Sequence, residues 1–174
     1  MTVALAHPEH AVLAPSAPLT LARLAAGAAG GLGAFGASLH APEGALAMLG
    51  GAGTLVLAAG LAWTVAVPAL VVTGALLGST LDVPRTVHGS LVAVHWGGVA
   101  FLASVPVVLL AQLVTHPTVA HAVGWGALLG VGACTALIFA RAMHALEGTR
   151  ALHLAWMGLF GTLFLELAWL AGAL

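Results

Sequence analysis

The sequence predicts an all-α integral membrane protein, a single bundle of about five transmembrane helices. Of its 174 residues, 61% are hydrophobic and only 5% are charged, and the mean hydropathy is +1.13. A soluble domain of this size needs a charged shell, which four arginines and five acidic residues are too few to build. In addition, apolar runs of about 18 or more residues recur along the chain, and such runs are typical of transmembrane helices.

Five spans are predicted, preceded by a short polar, proline-containing tail at residues 1–17. Residues 18–174 form one bundle with spans at 19–39, 45–78, 87–114, 119–142 and 152–174. Prolines 42, 84 and 117 lie at junctions, as expected of a residue that cannot continue a helix. The second span would extend about 50 Å against a hydrocarbon core of about 30 Å. Two spans and a turn need more residues, so we expect one long tilted helix, kinked near Pro68.

The few charges agree with this span count and exclude one class of partner. Five spans bring all the arginines to one side of the membrane: Arg23, Arg85, Arg141 and Arg150. The positive-inside rule makes that side cytoplasmic, with the N terminus inside and the C terminus outside. Four arginines against five acidic residues make no basic patch, so nucleic-acid binding is not expected. Glycine-rich stretches at 27–36 and 124–132 are expected to pack helices within the chain.

Histidines cluster on the arginine side of the predicted bundle. Polar groups inside a membrane are functional candidates, and His88, His95, His144 and His153 share this edge. His88 and His95 lie on one helix face, because seven residues make nearly two turns. Imidazole is a haem iron ligand, and bundles hold cofactors between facing helices. The alternative is that each interfacial histidine is only a polar tip reaching toward water.

Two neighbouring features favour a haem at this edge. The glycine pair at 97 and 98 follows His95 directly and is expected to leave room for a flat macrocycle. Arg85, Arg141 and Arg150 are expected to meet the propionates by charge-assisted hydrogen bonds.

A second polar group is predicted at the other edge: His40, His116, His121, Gln112 and Glu166. An unpaired carboxylate in the fifth span would cost several kcal/mol. Glu166 is therefore expected to face the bundle or a partner subunit and to hydrogen-bond to another member of this group. The tail sequence HPEH at 7–10 is a weak metal-binding pattern.

Residues 85–104, RTVHGSLVAVHWGGVAFLAS, resemble the second transmembrane helix of haem-copper oxygen reductase catalytic subunits of the C family. The matching positions are Arg85, the helix-opening His88, the pair Gly97 and Gly98, and the small residues Ala103 and Ser104. The resemblance implies that His88 is an axial ligand of a low-spin haem b, with its partner on a later helix. The segment RALHLAWMGLFG around His153 is similar to that later helix.

The sequence differs from that family at the features that oxygen reduction requires. The catalytic subunits have many more helices, the predicted spans carry no three histidines arranged for copper, and the sequence has no tyrosine. Oxygen reduction is therefore not implied, and a single haem b site is what the resemblance retains. In that family this helix starts on the outer face, whereas the arginines here predict the inner face.

The sequence thus predicts an integral membrane, haem b-binding electron-transfer protein or subunit of a respiratory or photosynthetic complex, and not an enzyme on its own. The axial pair would be His88 and His153, with His95 and His144 in reserve and Arg85 and Arg150 at the propionates. One alternative is a cofactor-free accessory subunit, and another is a proton- or metal-conducting bundle that uses Glu166. Expected partners are the lipid bilayer and other membrane subunits, with a quinone or a cytochrome as candidates, in the bacterial inner membrane.

Overall fold

A computed structural model describes residues 18–80, 82–147, 154–159, 161–162, 165–166 and 169. These residues form helices and contain no strand, which confirms the all-α class. The four long helices are α1, Pro18–Leu39; α2, Ala45–Leu76; α3, Val83–Val114; and α4, Pro117–Glu147. A 3₁₀ turn, Ala41–Glu43, joins α1 to α2, and residues 154–159 are a fifth helical segment. The predicted site residues Arg150 and His153, and the tail at 1–17, lie outside the described residues.

The second predicted span is one helix. α2 runs unbroken through Pro68, and its 32 residues extend about 48 Å at the rise of an α-helix. A length of about 48 Å exceeds the hydrocarbon core of about 30 Å, so α2 must tilt or extend beyond it. The prediction of a single long helix is confirmed.

The start of α3 differs from the prediction, because a capping residue was overlooked. α3 begins at Val83, four residues before the predicted position, and Asp82 is its N-cap. The Asp82 carboxylate accepts a hydrogen bond from the backbone N–H of Arg85 at 3.0 Å, which satisfies a donor that the helix leaves open. Pro84 therefore lies in the first turn, where a missing N–H costs nothing, and Pro117 begins α4 in the same way. His88 consequently lies inside the helix and not at its mouth.

α3 lies at the centre of the bundle and runs parallel to α1. His95 of α3 contacts the Leu24 carbonyl near the start of α1, and Gln112 contacts the Leu39 carbonyl at its end. The two backbones approach most closely at Gly31 and Gly98. A Cβ atom on Gly98 would lie 2.7 Å from the Cα of Ala28, so only glycine fits there. Small residues allow this approach, as the sequence predicted for the stretch 27–36.

The other helices run antiparallel to this central pair. α2 meets α1 where Gly36 and Gly51 face each other, and α4 meets α3 where Thr135 covers Gly97. The alternation brings Arg23, Arg85 and Arg141 to one end of the bundle, which we call the arginine edge. The turns at 40–44 and 115–116 form the opposite edge.

The buried side chains form two apolar clusters at different depths. The cluster toward the arginine edge contains Leu70, Val92, Ala93, Ala136, Phe139, Met143 and Trp156. Trp156 is only 2% exposed, so the fifth helical segment packs against the bundle. The second cluster centres on Phe35 and Phe101, whose ring centroids are 4.8 Å apart. Large apolar side chains on the outside, such as Leu46 and Leu76, are exposed.

Three helices of the described chain are long and apolar enough to cross a membrane: Ala45–Leu76, Val83–Val114 and Pro117–Arg141. α1 has 22 residues, five of them glycine, and contains Arg23. The fifth predicted span is described only in part. The four long helices and the fifth segment fit the predicted helix count of five, and the three apolar helices indicate an integral membrane protein.

The contact between α1 and α3 gives a matched pair of variants. Gly31→Ala places a methyl group on the Gly98 backbone, and overpacking of this kind costs about 1–3 kcal/mol. Gly30→Ala places the same group where nothing lies within 4 Å, and alanine is the better helix former by about 1 kcal/mol. We expect the thermal unfolding midpoint in detergent to fall for Gly31→Ala and to stay or rise for Gly30→Ala. Equal midpoints would contradict the close approach.

Candidate functional site

The structure brings three of the four predicted histidines to the arginine edge. His88 lies in the second turn of α3 and is buried, with 5% of its surface exposed. His144 lies in the last turn of α4 and is half-buried, and the Nδ1 atoms of both rings are inaccessible to solvent. His95 lies two turns beyond His88 and is also half-buried. The burial of His88 argues against the alternative in which it is a polar tip reaching toward water.

The orientation of the His95 ring is set by α1. Its Nδ1 atom lies 3.3 Å from the carbonyl oxygen of Leu24. A carbonyl oxygen only accepts, so Nδ1 carries the hydrogen, and in the neutral ring Nε2 is left as the acceptor. The ring lies directly over Gly27, where a Cβ atom would collide with it. An imidazole held by such a bond to a carbonyl is the arrangement that metal-ligating histidines commonly use.

The glycine pair does not leave the space that the sequence predicted. A Cβ atom on Gly97 would lie 2.6 Å from Oγ1 of Thr135, and one on Gly98 would lie 2.7 Å from the Cα of Ala28. Neighbouring helices therefore occupy the space beside both glycines, because small residues on α3 let α1 and α4 approach its backbone. The expectation that this pair makes room for a macrocycle is wrong.

The predicted propionate partner Arg85 lies on the surface beside an acid. Its Nε atom is 3.8 Å from Asp82 Oδ1, and the two side chains are 69% and 60% exposed. Exposed pairs of this kind contribute about 0–1 kcal/mol, so the pair leaves Arg85 largely available. The sequence analysis missed Asp82, although its place just before a proline-containing helix start is a capping signal.

A cleft of about 250 Å³ opens at the opposite edge, between α1, the 3₁₀ turn, α3 and α4. Its apolar lining includes Leu39, Trp125 and Leu128. Its polar lining consists of His40, Glu43, Gln112 and His121. We call it the opposite-edge cleft. Three of these four polar residues belong to the group predicted at this edge.

Each polar residue of the cleft has a partner within hydrogen-bonding distance. His40 Nδ1 lies 3.3 Å from Glu43 Oε1, and the Gln112 amide donates to the Leu39 carbonyl at 3.2 Å. His121 Nδ1 lies 2.9 Å from the carbonyl oxygen of Pro117. The sequence analysis missed Glu43, whose signal was its place three residues after His40 in the turn HAPEG.

Two members of the predicted group lie outside the cleft. His116 is exposed in the turn before α4, where its Nδ1 accepts from the backbone N–H of Thr118 at 3.4 Å. Glu166 is exposed, and within the described chain it makes no hydrogen bond to His40, His116, His121 or Gln112. The described residues therefore do not show the predicted bond from Glu166 into the bundle, and a contact of Glu166 with a partner subunit stays a prediction.

Within the described ranges, no group of three or more His, Cys, Asp or Glu residues is arranged to hold a metal ion. Comparison with known proteins finds no match: no protein-family model, no curated protein and no solved structure matches this chain. The resemblance of residues 85–104 to the oxygen reductase helix stays a prediction from the sequence.

The contact of His95 with Gly27 can be measured by a double-mutant cycle. Gly27→Ala should push the ring away from the Leu24 carbonyl and destabilise the protein by about 1–3 kcal/mol. With His95→Ala already present, the same change should be nearly neutral, because the colliding ring is gone. The unfolding free energies of the four proteins should show a coupling of about 1–2 kcal/mol. Simple additivity would contradict the contact.

Proposed function

We propose that this protein is an accessory subunit that packs its second helix against the transmembrane helices of a larger membrane complex. The supporting observation is the outer face of α2. A Cβ atom on Gly50, Gly53 or Gly60 would meet nothing within 4 Å, so all three glycines face away from the chain. Residues three and seven apart share one helix face, so the three form a continuous strip.

The energetic argument concerns what three outward glycines cost. Each destabilises a helix by about 1 kcal/mol relative to alanine, which makes about 3 kcal/mol for the strip. A face that touches only lipid tails gains nothing in return, because tails pack as well against alanine or leucine. A neighbouring helix does gain, because glycine lets its backbone come close. The strip is thus better explained by a helix partner than by lipid.

The shape of this region supports the same proposal. A cleft of about 280 Å³ lies between α1 and α2, and Gly50, Gly51 and Thr54 are among its lining residues. Leu46 and Leu57, on the same face of α2, are 85% and 69% exposed. Large side chains beside open glycines create ridges and grooves of the kind that helices use to interdigitate. A partner helix would bury both.

We place the subunit in the inner membrane of a bacterium, with the arginine edge in the cytoplasm. The positive-inside rule supports this orientation, because Arg23, Arg85 and Arg141 share one edge of the described bundle. The short turns at the opposite edge contain no arginine.

The packing proposal is tested by filling the strip. Gly53→Leu puts a large side chain where the partner helix would lie, whereas Gly126→Leu fills an equally open position on α4. Extracted from native membranes in mild detergent, the tagged wild-type chain should run in an assembly well above its own 17.2 kDa. Gly53→Leu should release it from that assembly, and Gly126→Leu should not. A wild-type chain that runs at its own mass, or an assembly that tolerates Gly53→Leu, would refute the proposal.

A second candidate function, haem b binding at the arginine edge, is favoured by the His95–Leu24 hydrogen bond. Three imidazoles at one edge, one of them held by a carbonyl, suit axial ligation in part. Neighbouring helices fill the space beside Gly97 and Gly98, so a haem would not fit there. It would lie nearer His88, with His153 as the second ligand that the sequence favours. A bound haem would supply one-electron chemistry.

This candidate has a direct spectroscopic test. If haem b is bound, the purified chain should show sharp alpha and Soret bands in a reduced-minus-oxidised spectrum, because bis-histidine ligation produces them. His88→Ala should abolish these bands while the protein still inserts into the membrane. A featureless wild-type spectrum, or an unchanged haem content per polypeptide in His88→Ala, would exclude the assignment.

A further inference from the structure

The opposite-edge cleft is small, and its polar lining offers more hydrogen-bond acceptors than donors. At about 250 Å³ it is smaller than the pockets of about 300–1,000 Å³ that enclose whole drug-sized ligands. It therefore suits a small headgroup whose tail remains in the bilayer. Trp125, which is 38% exposed, lies in its wall, and such a side chain is favoured at the membrane–water boundary.

The hydrogen bonds already made in the cleft decide which groups are left for a ligand. His121 donates its Nδ1 hydrogen to the Pro117 carbonyl, so in the neutral ring Nε2 is an acceptor. Gln112 donates from its amide nitrogen to the Leu39 carbonyl, which leaves the amide oxygen as an acceptor. Glu43 is a carboxylate, 63% exposed, and accepts only; His40 Nδ1 lies 3.3 Å from its Oε1, which leaves Oε2 for a ligand. The lining thus offers three acceptor side chains.

The charge of the cleft agrees with this inventory. Glu43 is the charged residue of the lining, and the lining contains no arginine or lysine. The arginines of the described bundle lie at the other edge, so a phosphate or carboxylate would find no cation here. A primary ammonium has three N–H donors and one positive charge, which match three acceptors and one carboxylate. The Trp125 ring adds a favourable surface for a cation.

We infer that the opposite-edge cleft binds the primary ammonium headgroup of a membrane amphiphile, as in phosphatidylethanolamine, through Glu43, Gln112 and His121. This site does not rest on the proposed function, because Gln112 and His121 belong to α3 and α4 and the glycine strip lies on the outer face of α2. Glu43 and His40 also line the cleft between α1 and α2. A hydroquinone also donates hydrogen bonds, from two hydroxyl groups, and is the alternative ligand that the experiment must distinguish.

The choice of lipid isolates the ammonium donors. Phosphatidylethanolamine and phosphatidylcholine with identical acyl chains differ only in that the choline nitrogen is fully methylated and has no N–H to donate. The full-length protein is exchanged into an equimolar mixture of the two lipids, and the retained lipids are counted by native mass spectrometry. We expect one phosphatidylethanolamine to be retained in preference to phosphatidylcholine by about tenfold, the effect of hydrogen bonds to a charged group. Equal retention of the two lipids would overturn the inference.

Matched variants connect the preference to the cleft. Glu43→Gln removes the charge and His121→Leu removes an acceptor. Each variant should therefore lower the ratio of retained phosphatidylethanolamine to retained phosphatidylcholine to about one. His116→Leu removes an exposed histidine from the same edge outside the cleft and should leave it unchanged. All three positions are exposed, and unchanged thermal midpoints would show that the fold is intact. A preference that survives Glu43→Gln, or His121-dependent binding of a decyl-tailed hydroquinone without any lipid preference, would refute the ammonium site.

Discussion

The close approach of α1 and α3 at Gly31 and Gly98 determines most of this structure. With the two backbones in contact at that point, the parallel helices are fixed in register along their whole length. That register puts His95 over Gly27 near one end and Gln112 beside the Leu39 carbonyl near the other. Both polar regions of the bundle are therefore positioned by a contact that contains no polar side chain.

Between these two edges, the polar side chains of the interior serve their own helices. The hydroxyl groups of Ser38, Ser90 and Thr135 are buried, and each donates to a backbone carbonyl three or four residues earlier. A hydroxyl buried without a partner costs roughly 1–3 kcal/mol, and this local bond avoids that cost without linking one helix to another. Trp63 is an exception, because its indole N–H donates to Ser90 and connects α2 to α3. The middle of the bundle is thus held together by packing, and the polar groups that could bind a ligand lie at its two edges.

The two edges differ in what they offer. The arginine edge has three imidazoles, one of them hydrogen-bonded to a carbonyl, and arginines on the surface, but neighbouring helices fill the space beside its glycine pair. The opposite edge has an open cleft with acceptors and one carboxylate. The outer strip of α2 has neither kind of group, and only its shape carries information. A packing function therefore depends on α2, and ligand binding depends on residues of the opposite-edge cleft.

The sequence by itself determined the helical class, the four long helices and which polar residues share an edge. These properties follow from apolar run length, proline positions and helix direction, all of which are local. Even there, the N-cap at Asp82 was overlooked, so His88 was placed at a helix mouth and not within the helix. Only the tertiary structure decided that Gly97 and Gly98 face helices and not a cofactor, that Glu43 joins His121 and Gln112 in one cleft, and that Glu166 is exposed. The physical reason is that a glycine looks the same in a sequence whether a helix, a ligand or lipid fills the space beside it, and the partner across that space comes from a distant part of the chain.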